Sequence, residues 1–160
     1  MTRGFVFFVS AACGILADQF SKFIITANLT TGTAIPENSF FQIVHVHNTG
    51  AAFSIFRGHI EWLIAASCLG VILVMAAFFI RKKLPFLDTR PGLAALGIIL
   101  AGTIGNLIDR VRLGYVTDFI QAGDFPTFNI ADSCLTVGVI WLVLLYLTSS
   151  NSGGDASENA

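Results

Sequence analysis

Two aspartates stand where a carboxylate is costly to keep. Asp118 lies in Val116-Thr117-Asp118-Phe119-Ile120 and Asp132 in Phe128-Asn129-Ile130-Ala131-Asp132-Ser133, both beside long apolar stretches in a chain of which only 12% is charged. An ionisable residue at the edge of hydrocarbon marks a functional site by default. Two that converge can share one proton and act as an acid and a base. Asn129 can also cap the helix that follows it, with Asp132 in the first turn where the helix dipole favours negative charge. Capping and chemistry are compatible. Together they favour Asp132 as the more readily ionised member and leave Asp118 to hold the proton, although loop geometry could reverse that assignment.

Other polar residues fall at helical spacing. Asp18 and Lys22 are four apart and share a face, as an ion pair turned towards protein or water or as a direct participant. Asn106, Asp109 and Arg110 share another face at i, i+3 and i+4, with Gly102 and Gly105 before them. The glycines permit close helix packing. Arg110 can snorkel to the interface or bind a phosphate or peptide carbonyl. His45 and His47 alternate on a strand and project to one side, but no third ligand follows at a recognisable spacing, so no metal site is expected. Asp124 reads as a solvated turn residue. The three cysteines, Cys13, Cys68 and Cys134, fall inside apolar runs without metal spacing and read as buried, reduced thiols.

These residues must be positioned by membrane spans. The chain is 54% hydrophobic over 160 residues, with mean hydropathy +0.76, more apolar surface than a water-soluble domain of this size carries. A net charge of −1 gives no case for nucleic acid. The expected fold class is an all-α membrane protein: four transmembrane helices with a small extracytoplasmic β-structure. Stretches long enough to span run over about 4–25, 60–80, 92–110 and 130–147, Pro91 suiting the start of the third. They form a single integral membrane domain, 1–148, and the Ser/Gly/Asn-rich 149–160 reads as a disordered tail. Arg3 followed by an apolar run to Cys13 resembles a lipoprotein leader. The run continues past Cys13, and Ser10 stands where a cleavage box favours a larger aliphatic residue, so it reads as a span.

Between the spans, Phe40 to His47 reads as a strand ahead of the turn signal Asn48-Thr49-Gly50, and Val116–Ile120 as a second strand able to pair with it. Arg3, Arg81, Lys82, Lys83 and Arg90 lie on one side of a four-span chain, and Arg57, Arg110 and Arg112 on the other. That bias puts both termini in the cytoplasm and the strands outside.

Taken together, the residues resemble the lipoprotein signal peptidase family, signal peptidase II. The matching blocks are Asp18-Gln19-x-x-Lys22, Asn48-Thr49-Gly50-Ala51-Ala52-Phe53-Ser54, Gly102-x-x-Gly105-Asn106-x-x-Asp109-Arg110, Val116-x-Asp118-Phe119 and Phe128-Asn129-x-Ala131-Asp132, in family order over nearly all of the membrane portion. Thr117, Ala101 and Thr103 depart from residues common in the family, and the connection between Asp118 and Asp132 is shorter than in some members.

The resemblance implies an intramembrane aspartyl endopeptidase of the bacterial inner membrane. It implies removal of signal peptides from diacylglyceryl-modified prolipoproteins just N-terminal to the lipidated cysteine, with Asp118 and Asp132 as the catalytic pair. Asp18, Lys22, Asn48, Gly102, Asn106, Arg110, Val116 and Asn129 map onto the family's residues around the substrate, with Asp109, Gly50 and Gly105 as structural support. No cofactor or metal is expected. The partners are the prolipoprotein and membrane lipid, with no nucleic acid, and the protein is expected to be a monomer.

Two other readings remain at this level. A small proton-coupled transporter would use Asp18, Lys22, Asp109 and Asp132 as a relay. A non-enzymatic assembly factor would tolerate loss of either Asp118 or Asp132. A serine protease is disfavoured because Ser54 and Ser133 sit in no nucleophile setting.

Overall fold

A computed structural model describes residues 3–50 and 60–154, with side chains through Ser149. In chain order the elements are α1 (Arg3–Asn28), β1 (Ala34–Ile35), β2 (Phe41–Asn48), α2 (Ile60–Ile80), a 3-10 turn over Arg81–Lys83, α3 (Arg90–Leu113), β3 (Val116–Ala122) and α4 (Ile130–Gly154). All four helices are long and apolar enough to cross a membrane. Arg57 and the block Ala51-Ala52-Phe53-Ser54 lie outside the described residues, as do 155–160.

The helices pack around α3, which touches each of the others. Leu93, Leu96, Ile99 and Leu100 of α3 bury against Phe7 and Ala11 of α1 and Val74 and Phe78 of α2. Large apolar side chains such as Leu16, Phe20, Ile72 and Phe79 instead point outward. That surface suits hydrocarbon, where an all-round apolar helix has no cost of exposure.

Close packing depends on missing side chains. A Cβ at Gly97 would strike Ser10 Oγ and the Phe7 carbonyl of α1, and one at Gly102 would strike the Ala131 carbonyl of α4. At Gly105 it would lie 2.6 Å from Asp18 Oδ2 and 3.1 Å from Ala131 Cβ. Gly105→Ala is therefore expected to destabilise the protein by about 1–3 kcal/mol, the usual cost of overpacking. Gly4→Ala, whose added carbon meets only Phe78 Cζ at 3.7 Å, serves as the tolerated control. Thermal unfolding in detergent measures both, and equal midpoints would refute the packing argument.

Helix ends follow the sequence chemistry. Thr89 caps α3, its hydroxyl accepting from Gly92 N at 3.0 Å, and Gly114 closes the helix at φ 76°, its N–H bonding Arg110 O. Helices α1, α3 and α4 all run past the expected bounds. α4 remains helical to Gly154, so the first part of the expected disordered tail is helix. Extending an existing helix gains one hydrogen bond per residue fixed, whereas composition alone reports only poor propensity.

The strands form one antiparallel sheet in the order β1-β2-β3. β2 and β3 pair as expected, with Val46 opposite Asp118 and an irregularity between Ile43 and Val46. β1 has no sequence signature, because two residues are too few to show alternation.

Candidate active site

Asp118 comes from the middle of β3 and is 1% exposed. Asp132 comes from the first turn of α4. Asn129 joins them. Its Nδ2 donates to Asp118 Oδ1 at 2.8 Å, its backbone N donates to Asp132 Oδ2 at 3.2 Å, and its Oδ1 accepts from Asp132 N at 2.9 Å. The last two bonds are a reciprocal cap built from Asn and Asp, so the expected cap is present and carries the second aspartate in register with the first.

The remaining carboxylate oxygens are held by two further amides. Asn48 Nδ2 donates to Asp118 Oδ2 at 2.8 Å, and Asn106 Nδ2 donates to Asp132 Oδ1 at 2.8 Å. The orientation of each amide is fixed from behind. Asn48 Oδ1 accepts from Gly50 N at 3.0 Å, which turns its NH2 towards Asp118. Asn106 Oδ1 accepts from Lys22 Nζ at 3.2 Å and from Asn129 Nδ2 at 3.1 Å. An ammonium only donates, so the oxygen of Asn106 must face Lys22 and its NH2 must face Asp132.

Lys22 is the centre of a buried ionic cluster. Its Nζ lies 2.8 Å from Asp18 Oδ2 and 3.0 Å from Asp109 Oδ2, so with Asn106 its three protons meet three acceptors. Each carboxylate of the cluster also braces one element. Asp109 Oδ2 accepts from Thr117 N at 3.0 Å, one residue before Asp118. Asp18 Oδ1 accepts from Ala131 N at 2.9 Å, satisfying an otherwise orphaned amide at the start of α4 one residue before Asp132. Gln19, the second residue of the Asp18-Gln19-x-x-Lys22 block, bridges Asp18 Oδ2, Gly105 O and Asp109 Oδ1 at 3.1–3.2 Å. Its place beside Asp18 was the available signal.

The pair opens onto a cleft of about 900 Å³. Of the anticipated residues, Asn48, Asn106, Arg110 and Val116 line it together with the two aspartates, and so does Gly50. Asp18, Lys22, Gly102 and Asn129 lie behind the wall, Gly102 in the α3–α4 packing and the others in the hydrogen-bonded network. The apolar lining comes from Phe125, Phe128, Leu135 and Val137. Val137 is 56% exposed on the surface of α4, so the cleft continues onto the lipid-facing side of the bundle.

Arg110 Nη1 donates to Ser67 Oγ of α2 at 3.3 Å, a contact with no signal in the apolar α2 sequence beyond the serine itself. Arg110 Nε is buried and has no partner among the described residues. Burial pushes the Asp118 carboxyl up from 3.8 to about 7. The amide of Asn48 opposes this, the nearby Asp132 adds to it, and Asn129 and Lys22 oppose it.

The two histidines lie on one side of β2 with ring centroids 5.1 Å apart. His45 Nδ1 donates to Leu29 O at 2.8 Å, while His47 stacks on Tyr115 at 3.8 Å.

Fold and site together define a multi-pass membrane protein whose polar machinery is confined to one end of the helix bundle and opens sideways. A family model described as Signal peptidase (SPase) II matches residues 10–148. The chain belongs to the signal peptidase II family, a family of membrane proteases. It is 88% identical over 160 residues to a lipoprotein signal peptidase of Dehalococcoides mccartyi, covering 100% of both chains. It is 38% identical over 144 residues to one of Moorella thermoacetica, covering 87% of this chain and 93% of that one. A solved structure described as a bacterial membrane enzyme, obtained by the in meso method at 2.3 Å resolution, matches with TM-score 0.78 and 33% identity over 90% of this chain and 88% of the other.

Proposed function

We propose that the protein is an aspartyl endopeptidase of the bacterial inner membrane. It removes the signal peptide from diacylglyceryl-modified prolipoproteins, cutting N-terminal to the lipidated cysteine. The observation that carries this reading is one residue, Asn129, hydrogen-bonded to two carboxylates that open on one cleft. The relatives named above are signal peptidases, and none of them supports the carrier reading.

Asp118 holds the shared proton, and Asp132 sits where the dipole of α4 favours negative charge. Asp132 takes a proton from water as the water oxygen attacks the scissile carbonyl carbon. Asp118 gives its proton to the carbonyl oxygen, and a neutral diol results. In the return step the leaving nitrogen takes the proton from Asp132, the C–N bond breaks, and a diol hydroxyl returns its proton to Asp118. The route needs no metal and no covalent intermediate.

The substrate segment must unwind to expose its scissile bond, and its freed backbone groups need partners at membrane depth. Arg110 and the amides of Asn48 and Asn106 stand at the cleft wall to supply donors. Asp18, Lys22, Gly102 and Asn129 act as positioning residues behind it. Both termini face the cytoplasm, the cleft lies near the outer face, lipid covers the outward apolar surfaces, and the protein works as a monomer.

Purified protein in lipid is expected to cleave a diacylglyceryl-modified precursor just before the modified cysteine; no cleavage would sink the reading. The pH profile tests the proton's place. Asp118 is raised to about 7, so it is protonated below that pH and ionised above it. kcat/KM is therefore expected to fall as pH rises through about 7, when both carboxylates are negative and the carbonyl has no donor. The apparent value belongs to the pair. A profile flat from about pH 6 to 9 would remove the proton from this role.

A further inference from the structure

Ser67 is the only hydroxyl-bearing residue of α2, and α2 is the most apolar of the four spans. A Cβ at Gly70 would lie 3.2 Å from Thr103 Cγ2, so α2 and α3 run close together there. The two helices are antiparallel neighbours, so three residues further along Ser67 stands level with Asn106, which donates to Asp132. Arg110 begins one turn beyond Asn106, and helix side chains lean back towards the N-terminus. Its guanidinium therefore returns to the level of the aspartate pair. It meets Ser67 there, Nη1 donating to Oγ at 3.3 Å. The serine is set as an acceptor, because its own hydrogen goes to Leu63 O at 2.8 Å, one turn back.

The guanidinium is held by a neutral group although two carboxylates line the same cleft. Arg110 forms no ion pair among the described residues, and its buried Nε has no partner among them. Lys22 has no proton to spare, since Nζ divides its three among Asp18, Asp109 and Asn106. The other titratable groups about the pair are His45 and His47 of β2, with Glu61 exposed at the start of α2 and Asp124 exposed in the connection before α4. Among the described residues Arg110 is thus the cation at the cleft with donors left over. An untethered guanidinium beside two carboxylates closes on them, and an opposite charge at contact favours the ionised form. The shared proton would then go to water.

We propose that Ser67 is a positioning residue: it tethers Arg110 to α2 and keeps the guanidinium off Asp118 and Asp132, leaving Nε for a substrate carbonyl. The role of Nε rests on the peptidase reading, whereas the tether acts with or without substrate. A hydroxyl suits the task because it holds the cation without neutralising it.

The test uses the full chain in phosphatidylcholine–phosphatidylglycerol vesicles, as the parent, Ser67→Ala and Ser67→Thr, each with and without Arg110→Gln. Infrared titration reads the carboxylic C=O stretch of the pair without substrate, and Asp118→Asn and Asp132→Asn assign the band. In Ser67→Ala the band is expected to vanish about 1–3 pH units lower than in the parent, the usual effect of an opposite charge brought into contact. The alkaline limb of kcat/KM should move down by the same interval. Ser67→Thr, which keeps the hydroxyl, should titrate like the parent, and Ser67→Ala should make no difference once Arg110→Gln is present. The same titration in the parent and Ser67→Ala would overturn the tether. So would an equal shift in the Arg110→Gln background, or a parent with no protonated carboxyl near neutral pH. Ser67→Val, isosteric with Ser67→Thr, repeats the comparison should Ser67→Ala fail to fold. A parent that leaves the modified precursor uncut would remove the peptidase reading, and the infrared comparison would still decide the tether.

Discussion

Asp118→Asn and Asp132→Asn are each expected to lower kcat for precursor cleavage by about 10³- to 10⁴-fold, the upper range for loss of a general acid or base. An amide can neither take a proton from water nor supply the carboxylic proton that polarises the carbonyl. The substitutions preserve shape, but both oxygens of each carboxylate accept from N–H donors, so the new NH2 faces a donor and one hydrogen bond is lost at the site. That local cost is measured by thermal unfolding alongside turnover, which separates lost chemistry from lost structure. The double variant should be little worse than either single one, because groups that act as a unit are not additive. Full turnover in either single variant would exclude the pair. That result would leave intact the assignment to the signal peptidase II family, which rests on the matched sequence.

Lys22→Met is expected to have the second largest effect, and on stability as well as rate. The ammonium is buried and is the cation between Asp18 and Asp109. Removing one partner of a buried pair while leaving the other costs about 3–5 kcal/mol. Here two carboxylates lose their partner together. Asn106 also loses one of the two donors that fix which way its amide points, leaving Asn129 alone to hold the neighbour of Asp132. Lys22→Arg should not restore the parent, because a planar fork cannot reproduce three contacts made by a single nitrogen. The checks are thermal unfolding and turnover of the surviving folded fraction. A parent-like midpoint for Lys22→Met would show that the cluster does not brace the site.

The spans and the aspartate pair could be read from the chain because each rests on a local signal. Long apolar runs have few other uses, and a carboxylate beside them must have a reason to be there. The pairing of β2 with β3 was legible from alternation and turn residues. What could not be read was how residues behind the site divide their work. Lys22 looked like half of an i, i+4 ion pair, and only the meeting of α1 with α3 shows that it also holds Asp109 and orients Asn106. Gly102 looked like a neighbour of substrate, yet it lies in the α3–α4 contact. Gln19 and Ser67 carry no spacing that marks them, since their partners are distant in sequence. β1 is defined by its neighbour more than by its own two residues.

The sideways opening of the cleft past Val137 has a consequence for how the protein finds its work. A substrate arriving through that side never leaves the bilayer, so the search is a two-dimensional walk. The quantity that governs encounter is then the number of precursors per unit area of membrane, not their concentration in the surrounding volume. Crowding of a bilayer with newly exported precursors would raise flux through each molecule directly, and dilution of the aqueous phase would leave it unchanged.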